Sequence, residues 1–161
     1  MSWHPPTTQP AFSALMRSRA LASLVCRGAI AFVWLYQGLV PKLLGPHHDE
    51  MAMTLALGVT PAAATVVAYA AGSCEVIIGV AMLALRRQAW PLWLTIALMV
   101  CLLGYASWAA PWLLLGAFNP VTSNVAVAAL ALVALILRRH ETRADIQQPV
   151  PRDVPAPRGR L

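Results

Sequence analysis

Four long apolar stretches, at about residues 20–43, 61–85, 89–109 and 121–137, leave this chain few ways to fold. A helix crossing the hydrocarbon core of a bilayer needs about 20 predominantly apolar residues. With no water there to bond the backbone, such stretches must satisfy their own N–H and C=O groups, and a helix does so within one segment. Composition agrees, since 59% of the 161 residues are hydrophobic and 11% are charged. Soluble domains carry about 25% charged residues. The sequence therefore predicts an all-α protein: a four-transmembrane-helix antiparallel bundle over residues 19–139. Residues 1–18 read as an N-terminal tail, in which Pro5, Pro6 and Pro10 oppose a helix. Residues 140–161, rich in Pro, Arg, Asp and Gln, read as a second tail with too little apolar surface to fold alone.

The net charge of +6 could indicate nucleic-acid binding, but its placement argues against that partner. Arg17 and Arg19 precede the first stretch, Arg86 and Arg87 separate the second from the third, and Arg138, Arg139 and Arg143 follow the fourth. Lys42 is the one basic residue of the other connections, and residues 88–137 carry no charge. This is the positive-inside pattern, and it predicts a multi-pass protein of a bacterial-type cytoplasmic membrane with both termini on the cytoplasmic side. Arg27 interrupts the first stretch and no small-residue cleavage site follows it, so that stretch reads as a retained helix and not as a signal peptide.

Two charges fall inside the apolar stretches. Glu75 lies near the middle of the second and Arg27 within the first. Each costs roughly 2.5–3.5 kcal/mol to insert, which makes an intramembrane ionisable residue a marker of a functional interior. Counted from the inner ends of their helices, Arg27 lies at a depth of about 10 Å and Glu75 at about 15 Å. An arginine side chain covers that difference, so the expectation is that Arg27 and Glu75 pair, since pairing offsets the cost of burying either alone. Gly38 continues the Arg27 face, while Gly72 and Gly79 continue the Glu75 face; these small residues allow close helix approach. The pair could simply lock two helices together. It could also floor a cavity with Tyr36, Gln37, Lys42 and His47 or His48 nearer its mouth.

The first connection, residues 41–50, is the richest in chemistry. Pro41, Gly45 and Pro46 punctuate the end of the first helix. Asp49 or His48 could cap a short amphipathic helix at about 50–57, lying along the outer membrane surface and closed by Gly58 and Pro61. His47 and Glu50 at i, i+3 could share a helical face, but adjacent histidines point different ways and the signal for a metal site is weak. Cys26, Cys74 and Cys101 form no C-x-x-C pair and read as small packing residues. Neither a phosphate-binding loop nor a hydrolase or zinc-protease motif is present.

Three of these segments resemble the DoxX-like membrane proteins. The run Trp34-Leu35-Tyr36-Gln37-Gly38-Leu39-Val40-Pro41-Lys42-Leu43-Leu44, with His47 and Glu50 beyond it, is similar to that family's signature. Ala71-Gly72-Ser73-Cys74-Glu75-Val76-Ile77-Ile78-Gly79 resembles its second-helix G-x-x-E-x-x-x-G pattern, and Phe118-Asn119-Pro120-Val121-Thr122-Ser123-Asn124 the start of its last helix. The resemblance implies a four-helix integral membrane protein with Lys42, Glu50, Gly72, Glu75, Gly79, Asn119 and Asn124 at motif positions. Distant relatives include a subunit of a thiosulfate:quinone oxidoreductase, and others are associated with redox proteins.

The expected function is a redox-associated membrane subunit whose charged pocket binds a quinone or a similar lipid-soluble molecule. Its expected site residues are Arg27, Tyr36, Gln37, Lys42, His47, Glu50, Glu75, Asn119 and Asn124. Any redox chemistry would require a soluble oxidoreductase partner or a diffusible quinone, and the chain could also form a homo-oligomer. Two other classes compete: small-molecule or lipid binding or transport, and a membrane scaffold for a soluble enzyme. Uptake into proteoliposomes without an electron donor would mark the first, and loss of a partner on deleting residues 140–161 the second.

Overall fold

The computed structural model describes residues 9–116 and 119–146; residues 1–8, 117–118 and 147–161, including Phe118 of the third motif segment and parts of both expected tails, lie outside the described residues. The described residues form helices joined by short turns, with no strand. Five α-helices follow in order: α1 (Gln9–Gly38), α2 (His48–Leu55), α3 (Pro61–Ala84), α4 (Trp90–Ala109) and α5 (Pro120–Ile146). Four segments are long and apolar enough to cross a membrane, Ser13–Leu43, Pro61–Ala84, Trp90–Ala109 and Pro120–Arg139. The expected four-helix membrane bundle is present.

The helix ends show how local chemistry sets the boundaries. Residues 9–18, expected in the N-terminal tail, are helical and continuous with the first span, Pro10 included. Thr60 caps α3 by accepting from the Ala63 amide, with Pro61 at the first helical position. Asn119 caps α5, its Oδ1 accepting from the Thr122 amide at 3.0 Å, again with Pro120 next. α5 runs on through residues 140–146, which were expected in the tail.

α1 does not stop cleanly. After Gly38 it widens into a π-turn over Leu39–Leu43, closed by the Leu44 amide donating to Leu39 O at 2.8 Å. Pro41 lies inside this turn. Its ring would clash with the carbonyl four residues back and it has no N–H for an α-type bond, so the wider turn relieves both conflicts.

α1 packs along both α3 and α5, and α5 packs along α4. α3 and α4, although consecutive, touch only slightly, and α2 lies against both. α1 and α3 approach each other closely at glycines. A Cβ on Gly38 would stand 2.6 Å from Gly72 O, and one on Gly72 would stand 2.8 Å from Gly38 O. A Cβ on Gly79 would meet Leu35 at 2.8 Å. Gly38, Gly72 and Gly79 all lie where the backbones of α1 and α3 leave no room for a side chain. The buried core runs through Ile30, Trp34, Met82, Leu92, Met99 and Ala131. Large apolar side chains such as Phe32, Val66, Ile77 and Val100 point outward, as a lipid-facing surface requires.

Candidate functional site

Five segments of the bundle enclose a cavity of about 470 Å³. The second half of α1 with the π-turn, α2, the first half of α3, the second half of α4 and the first turns of α5 form its walls. Apolar groups dominate the wall, among them Val33, Trp34, Met53, Val67, Met99 and Leu102. This volume and lining are typical of small-molecule sites.

One charged cluster breaks that wall. Lys42 Nζ donates to Glu75 Oε1 at 2.8 Å and to Glu75 Oε2 at 3.0 Å. It also lies 3.2 Å from Glu50 Oε1. Lys42 and Glu75 are each 7% exposed, so this ion pair is deeply enclosed. The fold brings the three together by separate means. The π-turn presents Lys42, the Gly38–Gly72 contact brings α3 close enough for Glu75 to reach it, and Glu50 arrives on the first turn of α2. Acidic residues there also suit the helix dipole.

The expected pairing of Arg27 with Glu75 is corrected. Glu75 sits beside Gly38, eleven residues beyond Arg27 and so about 16 Å further along α1, well past the reach of a guanidinium. Arg27 instead donates to Gln88 O at 2.7 Å and to Met82 O at 3.5 Å. It is 2% exposed and ties α1 to the last turn of α3 and the turn that follows. Helix ends leave their final carbonyls without donors, and an arginine satisfies them with favourable charge. Depths counted from helix ends ignored the register of the two helices, which places Lys42 at the level of Glu75. Arg27→Met should therefore destabilise the bundle by about 1.5–3 kcal/mol through the lost charged hydrogen bonds. Ligand affinity should stay within about twofold, because Arg27 is outside the cavity lining. Thermal unfolding and ligand titration of the same detergent preparation check both.

Six of the nine expected site residues line the cavity: Gln37, Lys42, His47, Glu50, Glu75 and Asn124. Arg27 does not, for the reason given. Tyr36 does not either, because two residues along a helix is about 200° around it, which sends Tyr36 away from Trp34 and the cavity. It is 51% exposed and stacks on Phe32 with ring centroids 6.0 Å apart. Asn119 serves as the cap of α5.

His47 is both lining residue and N-cap, its Nδ1 accepting from the Asp49 amide at 3.4 Å. α2 consequently starts at His48, two residues before its expected position. Gly45 at φ 143° and Gly58 at φ 77° flank it, both in the region that favours glycine.

Two polar contacts at or behind the cavity wall were not anticipated. Tyr105 lines the cavity and donates its hydroxyl to Met53 O at 2.7 Å, joining α4 to α2. Thr95 accepts from Trp34 Nε1 at 3.0 Å, both buried, which fixes the indole against the cavity wall. A tyrosine and a threonine inside an uncharged span were the available signals, since polar side chains there must find partners. Cys74 is exposed although its neighbour Glu75 is buried, as the 100° step of a helix requires.

No curated protein and no solved structure matches this chain. A sequence model of the DoxX-like family matches residues 31–148, a span that includes the π-turn, α2 and every charged residue of the cluster. With four apolar helices of membrane-crossing length and that match over most of its length, the chain is a multi-pass membrane protein that belongs to the DoxX-like family.

Proposed function

We propose that this protein holds a small lipid-soluble molecule of the quinone class inside the bilayer, as the membrane subunit of a redox system. The observation that carries the reading is the cavity of about 470 Å³ whose apolar wall is broken by Lys42, Glu50 and Glu75. A quinone-type ligand needs apolar surface for its ring and tail and a few polar groups for its oxygens, which is the division this wall provides. Gln37 and Asn124 would add amide contacts. The electrons would come from or pass to a soluble oxidoreductase partner. The arginine distribution supports a bacterial-type cytoplasmic membrane with both termini inside and α2 on the outer side.

The first test is native mass spectrometry of gently extracted protein, with a retained lipid-soluble molecule as the expected result. The second is titration with a decyl-substituted benzoquinone and its quinol. Lys42→Ala and Glu75→Gln should each weaken binding about tenfold or more, with helix content checked by circular dichroism. Unchanged affinity in both variants would exclude this cavity as the site.

A further inference from the structure

Resting on that reading, we infer that the cavity selects a hydrogen-bond-donating head group, so that an aromatic diol binds in preference to the corresponding quinone. The inference follows from counting which polar groups of the wall are already committed. Among the described lining residues, Trp34 gives its N–H to Thr95 Oγ1. Tyr105 gives its hydroxyl proton to Met53 O, and Thr54 gives its own to Glu50 O. The Ser123 hydroxyl donates to Pro120 O at 3.3 Å. The Lys42 ammonium has three protons and three carboxylate oxygens within 3.2 Å. The donors of these five side chains are thus directed at protein oxygens.

The acceptors are in surplus. An ionised carboxylate offers about four lone-pair positions. Glu75 uses one on each oxygen for Lys42, and Glu50 meets the same ammonium through Oε1. One lysine therefore faces two carboxylates; Asp49, also on the lining, is 54% exposed and lies against His47 and His48, outside this count. The amides of Gln37 and Asn124 offer donors and acceptors together and do not alter the balance. His47 also lines the cavity, with its Nδ1 accepting from the Asp49 amide and its side chain 64% exposed, so water competes for any donor it offers.

A quinone carbonyl can only accept. To bond Lys42 it must displace a carboxylate oxygen, leaving that charge less well paired in an enclosed site. A diol donates directly to an unused carboxylate lone pair and leaves the Lys42–Glu75 pair intact. Such a bond is charge-assisted and roughly twice as strong as a neutral one. The expected preference is about tenfold or more in Kd. Each tenfold raises the two-electron midpoint potential of the bound couple by about 30 mV, since tighter binding of the reduced form favours reduction.

The experiment is anaerobic isothermal titration of the full-length protein in detergent, with decyl-benzoquinol and decyl-benzoquinone measured in parallel. The wild type should bind the quinol at least about tenfold more tightly. Glu50→Gln, at the more exposed carboxylate, and Glu75→Gln should each bring the ratio of the two constants toward one; the first keeps the test open where the second fails to fold. Equal affinity, tighter quinone binding, or a ratio that both variants leave unchanged overturns the selectivity while leaving the cavity as a binding site. Binding of neither ligand overturns the quinone-class reading and the selectivity with it.

Discussion

Lys42→Met is expected to abolish ligand binding and to destabilise the bundle by about 3–5 kcal/mol, the usual cost of removing one partner from a buried ion pair. Glu75 would be left enclosed at 7% exposure with neither of the bonds it now accepts from Nζ. The double variant Lys42→Met/Glu75→Met separates the two effects. With both charges gone and apolar side chains of similar length in their place, stability should return to within about 1 kcal/mol of wild type or exceed it, because a buried pair seldom stabilises more than good packing does. Glu50 is the more exposed carboxylate and loses less. Binding should not return. Detergent-titration unfolding and isothermal titration on the three proteins would show a stability that recovers and an affinity that does not. A double variant as unstable as Lys42→Met would mean that the cluster holds the bundle together and is not maintained for its ligand.

Gly72→Val is the second large effect expected. Its Cβ would stand 2.8 Å from both Gly38 O and Lys42 Cβ, and neither neighbour is the end of a flexible chain. α1 and α3 must separate, at a cost of about 1–3 kcal/mol or more. The same separation draws Lys42 away from Glu75, so affinity should fall even though residue 72 is not part of the cavity lining. Gly104→Val is the control. A Cβ there meets nothing within 4 Å, and its stability and affinity should match wild type. Equal loss in both variants would refute the close-approach argument.

The four spans were legible because apolar length alone decides them, and Gly38, Gly72 and Gly79 were legible as packing positions because they share faces with Arg27 or Glu75. The charged partners were only half legible. Lys42, Glu50 and Glu75 stood out as candidate site residues, but choosing between Arg27 and Lys42 as the partner of Glu75 required the antiparallel register. That register is fixed by atomic contacts such as Gly38 against Gly72, which helix lengths cannot supply. Pro41 signalled a helix end, whereas the chain absorbs it in a wider turn and carries Lys42 onward into the site. Tyr36 was expected near the mouth of a cavity floored by Arg27 and Glu75, and its angle around α1 was not weighed. Tyr105 was missed because its partner is a backbone carbonyl on α2, 52 residues earlier in the chain.

The slight contact between α3 and α4 bears on biogenesis. Neighbouring spans that barely adhere cannot persist as a stable hairpin when they leave the insertion machinery together. α3 instead finds its close fit on α1, which was made before it, while α4 must wait for α5, the span that follows it. The chamber is therefore completed only after the final helix docks, and a chain truncated before α5 should be inserted yet unable to retain a ligand.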